Sequence, residues 1–163
     1  MQKTCSVNCA VEYARRDREA KERRADKVKR ESLKTRSDWL REAQTAFNAW
    51  VRARDADLPC VSCGRFHTGA WDAGHYRSVG STPALRFHPD NCHRQCVPCN
   101  QFKSGNAIEF RIGLLGRIGP ERLAFLEGPH EPKKHSIDDA KTVKAAYKAK
   151  LKELLAQREE VAA

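Results

Sequence analysis

The sequence predicts an α+β fold: a small strand–strand–helix core held by a metal, flanked by several helices, with long ones at both ends. Three observations predict it. Residues 58–106 are rich in Cys, His, Gly, Pro and Asn and carry two CxxC pairs, whereas the segments on either side show helical periodicity. Hydrophobic residues make up 40 % and charged residues 32 % of 163, which leaves only a modest apolar core. Residues 10–36 are nearly all charged or small and hold no Gly or Pro, so a long helix is expected there.

From Glu12 to Arg36 there are eleven Lys or Arg against six Asp or Glu, with no Gly or Pro. Such a run makes a solvated basic helix that buries little. A second helix is expected over 38–54, with Ser37 as N-cap. Trp39, Ala43, Phe47, Trp50 and Val51 recur along it at helical spacing and read as core. Short strands are expected over 70–76 and 85–87, then helices over 106–117 and 120–127, the second opened by Pro120. Ser136 with Asp139 resembles a capping box, opening a helix that runs to about 160. Ile137, Ala140, Val143, Tyr147, Leu151 and Leu154 form its apolar stripe. The organisation expected is a basic arm (1–36), a metal-bound core with flanking helices (37–130) and a C-terminal helix (131–163).

Lys and Arg outnumber Asp and Glu by 31 to 21, a formal net charge of +10. A polyanion is the leading partner, because each phosphate neutralised releases condensed counterions. On the basic segment, Arg15, Arg16, Arg23, Arg24, Lys27, Lys29 and Arg30 are the candidate phosphate contacts. No apolar run reaches the ~18 residues that span a bilayer, and the first ten residues lack the apolar stretch of a signal peptide. The expectation is a cytoplasmic protein with no membrane partner, whose thiols stay reduced.

Cys60-Val-Ser-Cys63-Gly64 and Cys96-Val-Pro-Cys99 are separated by 32 residues. Four thiolates at this spacing can close one tetrahedral shell, which makes the ion structural and Zn²⁺ its best occupant; an iron–sulfur cluster is the competitor. Gly64 suits the positive φ of such a knuckle. Cys5 and Cys9 form a CxxxC without a second pair nearby and are assigned no role.

Between the pairs the chain reads Trp71-Asp72-Ala73-Gly74-His75-Tyr76, then Leu85-Arg86-Phe87-His88-Pro89-Asp90-Asn91-Cys92-His93, and Asn100 follows Cys99 directly. A His on a strand, an Asn in the next loop and an Asn after the last Cys fit the HNH (His-Me finger, ββα-metal) arrangement. Phosphodiester hydrolysis needs a base with a pKa near neutrality, which His75 supplies, and an amide such as Asn91 to orient it. It also needs a hard cation on the phosphate, for which the Asn100 carbonyl suits Mg²⁺ or Mn²⁺. Arg77 and Lys103 are near enough in sequence to contact flanking phosphates.

With these motifs, and with Gln44-Thr45-Ala46-Phe47-Asn48-Ala49, Cys99-Asn100-Gln101-Phe102-Lys103-Ser104-Gly105-Asn106 and Arg117-Ile118-Gly119, the chain resembles the phage NinG (Rap) family over about residues 10–160. The resemblance implies a structure-specific endonuclease that cuts branched recombination intermediates such as D-loops and Holliday junctions, in company with phage or host recombination proteins. Many HNH nucleases carry a metal-binding Asp just before the base. Here that position is Gly74, and Asp72 or His93 is expected to supply the missing ligand. Two other readings stand beside this one: a non-catalytic zinc-stabilised binder of branched DNA, and a site-specific HNH nuclease. A homodimer is expected, since two matched cuts on a near-symmetric junction take two sites.

Overall fold

A computed structural model describes residues 6–162 of the chain. They form α1 (Val7–Ser32), α2 (Arg36–Arg54), β1 (Trp71–His75), β2 (Cys92–Cys96), α3 (Ala107–Glu127) and α4 (Ile137–Ala162). Single 3₁₀ turns at Pro83–Leu85 and Pro89–Asn91 and one π turn at Pro98–Phe102 complete the order. The chain divides into a unit ending at Asp38 and a second beginning at Trp39.

In the first unit, Ser6 caps α1 by accepting from the Cys9 N–H. No residue of α1 is buried. Glu12–Arg16, Glu19–Arg15, Glu19–Arg23 and Asp17–Lys21 pair one turn apart along it. The helix is therefore held by propensity and local pairs, as its composition requires. The N-cap of α2 is Thr35 rather than the expected Ser37. The Thr35 hydroxyl accepts from the Asp38 N–H, and the Asp38 carboxylate accepts from the Thr35 N–H. This reciprocal box satisfies two helix-end groups at once, where Ser37 could have satisfied one.

In the second unit, the apolar stripe of α2 packs on α4 and on one face of the sheet. Trp39, Leu40, Ala43, Phe47 and Val51 bury with Phe87, Cys92, Ala140 and Tyr147 in one cluster. Phe47 sits at its centre, edge-on to Phe87 and Tyr147 at 5.8 and 4.7 Å. Burial of a side chain this size is worth about 1.5–3 kcal/mol. The Tyr147 hydroxyl donates to the Phe87 carbonyl. The apolar stripes of α2 and α4 thus cover each other within one chain as far as Tyr147. The expected box at Ser136 is present: the Ser136 N–H donates to Asp139, whose own N–H donates to the Ser136 hydroxyl.

β1 and β2 pair antiparallel, with Asp72 opposite Gln95, Gly74 opposite His93 and His75 opposite Cys92. The first strand falls within the expected 70–76. The second is not at 85–87, where a 3₁₀ turn brings Leu85 into the core, but at Cys92–Cys96. On the other side of the sheet α3 packs through Phe110, Leu114, Ile118, Leu123 and Leu126 against Val61 and Leu85. Its two arms meet at Gly119, where φ is 80° and Pro120 follows, matching the two helices expected there.

Candidate functional site

The CxxC pairs converge. Cys60 and Cys63 lie in the loop after α2, and Cys96 and Cys99 at the end of β2 and in the π turn. The four Sγ atoms all lie within 4.8 Å of one another. Cys63 and Cys96 are 3.9 Å apart, close to the ~3.8 Å edge of a tetrahedron built on ~2.3 Å Zn–S bonds. Gly64 has φ 64°, as the knuckle demands. The Cys96 N–H points at the Cys60 sulfur, and the Asn106 amide at that of Cys99. Burial pushes the Cys60 thiol up, but N–H donors from Cys63, Cys96 and Ser62 overcome it and bring it to about 7. These four cysteines could hold a metal such as zinc. His67, which no sequence motif singles out, brings Nε2 to 3.2 Å from the Cys63 sulfur. Cys9 is exposed on α1, and Cys5 lies outside the described residues.

His75 ends β1. Its Nε2 donates to the Arg86 carbonyl at 3.0 Å, and Nδ1 faces the Cys92 sulfur at 3.7 Å. With a carbonyl as partner, Nε2 carries the proton and Nδ1 is the basic nitrogen. Burial lowers the imidazole from its ordinary value, offset only in part by the Arg86 carbonyl.

Asn91 does not bond to His75, contrary to the expectation from sequence. It is fully buried; its Oδ1 accepts from the Arg77 N–H and its Nδ2 donates to the Arg77 and Leu85 carbonyls. Its bond to the Leu85 carbonyl falls one residue before Arg86, whose carbonyl holds His75.

The expected cation ligands lie elsewhere. Side chains alternate along a strand, so Asp72 and Gly74 share one face of β1 and His75 takes the other. Asp72 Oδ2 accepts from Asn100 Nδ2 and Gln101 Nε2, both at 2.8 Å. Asp72 and Asn100 are thus brought together, and His75 is not brought to them. Gly74 packs against Gln95, whose Oε1 occupies the space of a Cβ and is buried without a donor.

His93 is not available as a cation ligand. It is 5 % exposed, its Nε2 donates to the Asp90 carbonyl, and its Nδ1 stands 3.1 Å from an Arg54 nitrogen. It belongs to a buried network, centred on Asp55, that the sequence alone does not reveal. That carboxylate is bonded by Arg54 and by the Arg94 N–H, with Arg117 3.6 Å away. Burial alone would raise the Asp55 pKa; the bonds from Arg54 and the Arg94 N–H reverse this and hold it far below the usual range. Nothing local marks Asp55, because its partners on β2, His93 and Arg94, come much later in the chain.

Lys103 is exposed just after the π turn, while the Arg77 backbone is pinned by Asn91. Arg15, Arg16, Arg23, Arg24, Lys27, Lys29 and Arg30 all stand exposed on α1.

A family profile described as bacteriophage lambda NinG protein matches residues 1–159. The chain belongs to the NinG family. Protein ninG of Escherichia phage lambda is 47 % identical over 136 residues, which cover 83 % of this chain and 67 % of that protein. The ninG proteins of Escherichia phage 933W and Salmonella phage P22 are each 46 % identical over the same share of this chain, covering 68 % and 67 % of their own lengths. No solved structure matches the chain. Among the described residues no helix is long and apolar enough to cross a membrane. This NinG family member is thus a phage protein of mixed α+β structure with a cysteine cluster fit for a metal.

Proposed function

We propose that this NinG protein is a zinc-stapled, metal-dependent endonuclease of HNH type that cuts branched DNA. The observation that carries the reading is His75 at the end of a β-hairpin strand, its Nε2 fixed by the Arg86 carbonyl so that Nδ1, beside the Cys92 thiol, is the unprotonated atom. Asn91 holds that carbonyl's loop in place, and the Cys₄ cluster ties β2 to the segment bearing Asn100. In this reading His75 takes a proton from the attacking water. Asp72 and Asn100 pair on the other face of the hairpin from His75, so they are not its cation ligands in this reading; a Mg²⁺ or Mn²⁺ on the scissile phosphate would supply charge neutralisation there. The net charge of +10 and the exposed cations of α1 supply sequence-independent affinity for the DNA backbone. By the family resemblance the products carry 5′-phosphate and 3′-hydroxyl ends.

A second reading rests on Gly74 and Gln95. Gly74 offers no side chain to a cation, Gln95 Oε1 fills the space where its Cβ would stand, and Asp72 lies on the opposite face from His75. On that reading the domain binds branched DNA and does not cut it. Incubating four-way junction, flap and linear duplex DNA with the zinc-loaded protein, with and without Mg²⁺ or Mn²⁺, separates the two. Cation-dependent cutting confined to the branched substrates supports the nuclease; tight junction binding without cutting in either cation supports the binder. Cutting of linear duplex at fixed sites supports a site-specific nuclease instead.

A further inference from the structure

Two nitrogen atoms, Arg77 Nε and His130 Nε2, are buried without a hydrogen-bond partner, and both residues line one cavity. It has a volume of about 240 Å³ and lies between the loop after β1, with Ser81 and Thr82, and the segment after α3, with Gly128 and Glu131. A buried donor left unmade costs roughly 1–3 kcal/mol, so two on one cavity call for an acceptor. Arg77 Nε is always a donor, and His130 Nε2 is one in the tautomer that carries its proton there. The complementary group is therefore rich in acceptors and, facing a guanidinium, negatively charged.

Both donors are held in place. Asn91 binds the Arg77 N–H and carbonyl, which fixes the start of its side chain. The His130 ring stands edge-on to Phe125, 5.1 Å between centroids. Ser78, Ser81 and Thr82 bond among themselves and stiffen the facing wall. The opposing charges are Glu131, exposed at the rim, and Glu127, which is already bonded twice by Arg111 and once by the Tyr76 hydroxyl.

We propose that this cavity is a phosphate-binding subsite, with Arg77 Nε and His130 Nε2 donating to two oxygens of one phosphate group. On the DNA reading above, on which only the owner of the phosphate rests, it holds a backbone phosphate flanking the one near His75. The alternative source of the same chemistry is free phosphate.

The test has two arms on the zinc-loaded chain. In the first, inorganic phosphate is titrated while the ring ¹⁵N resonances of His130 are followed. A saturable shift of Nε2 that is lost in Arg77→Ala is expected. In the second, four-way junction DNA is bound across a salt series. His130→Phe keeps the ring edge on Phe125 but removes the donor, and should weaken binding about fivefold with an unchanged salt slope. Arg77→Ala should weaken it further and lower the slope by about 0.9. Thermal melts of both variants at the wild-type midpoint establish that they fold. A phosphate shift together with unaltered junction binding assigns the subsite to free phosphate and removes DNA as its owner. If no DNA binds to the wild type at all, the DNA reading fails and the phosphate arm still decides the subsite. No shift with phosphate and wild-type junction affinity in both variants overturn the proposal.

Discussion

The side-chain oxygen of Gln95 lies where a Cβ on Gly74 would stand, across the two strands of the hairpin. Gln95 is fully buried, and its amide nitrogen is anchored to the Ser62 hydroxyl and the Gly105 carbonyl, so it cannot swing away without breaking both bonds. Gly74→Ala should therefore destabilise the chain by about 1–3 kcal/mol, the usual cost of overpacking. In a urea titration of the double-mutant cycle with Gln95→Ala, the cost of the Gly74 change should largely vanish once Gln95 is shortened. Additive costs would show that the two side chains do not compete for that space.

The cysteine cluster predicts a chain whose folding depends on its metal. Cys96→Ser should lose one equivalent of zinc and the cooperative thermal transition, because the second unit has little apolar core beyond two small clusters. Metal content and a melting curve read this together. A zinc-free variant that melts at the wild-type temperature would contradict it.

Asp55 should dominate the acid side of the stability curve. Its folded pKa lies below the unfolded value of about 3.9, so its contribution is fully present above that pH and is lost as the pH falls through and beyond it. Asp55→Ala leaves Arg54 and Arg117 part-buried without their carboxylate, at a cost of about 3–5 kcal/mol at neutral pH. The variant's stability should also fall less steeply than the wild type's below about pH 4. Parallel acid limbs for the two proteins would remove Asp55 from that role.

How far the sequence carries depends on how local each determinant is. The helices α1, α2 and α4 and the metal knuckle are legible because propensity, caps and the CxxC spacing act within a few residues. The cap of α2 falls at Thr35 and not at Ser37 although both residues cap well; only the partner Asp38, three residues after Thr35, decides between them. β2 is hard to see in the sequence because Cys92-His-Arg-Gln-Cys96 has no β-branched residue. It is a strand because it lies against β1 and because Asp55 and the cysteine cluster hold it. Leu85-Arg86-Phe87 has the look of a strand, but Pro83 and the buried Asn91 close it into turns. At the site, residue types are readable and sides are not. Strand alternation with the register of β2 puts Asp72 and His75 on opposite faces, and His93 is claimed by Asp55, an aspartate from the end of a different element.

The basic helix α1 predicts affinity without sequence choice. Its cations stand exposed, so they can meet phosphates as point charges. Deleting residues 7–32 should flatten the dependence of junction binding on salt, by about 0.9 in slope for each phosphate that the helix neutralises, and leave the preference among DNA sequences unchanged. Equal slopes with and without the helix would show that it does not touch DNA.

The central claim is that His75 is the base of a cation-dependent cut in branched DNA, and one comparison tests it most directly: single-turnover cleavage of a four-way junction in Mg²⁺ or Mn²⁺ by the wild type and by His75→Ala. Because burial lowers the imidazole, the wild-type rate should hold at pH values somewhat below the ordinary histidine pKa of about 6.5 before it falls. His75→Ala should keep its zinc and its junction affinity and cut at least ~10²-fold more slowly, without that pH limb. Cutting by His75→Ala at the wild-type rate, or no cutting by the wild type in either cation, would contradict the account.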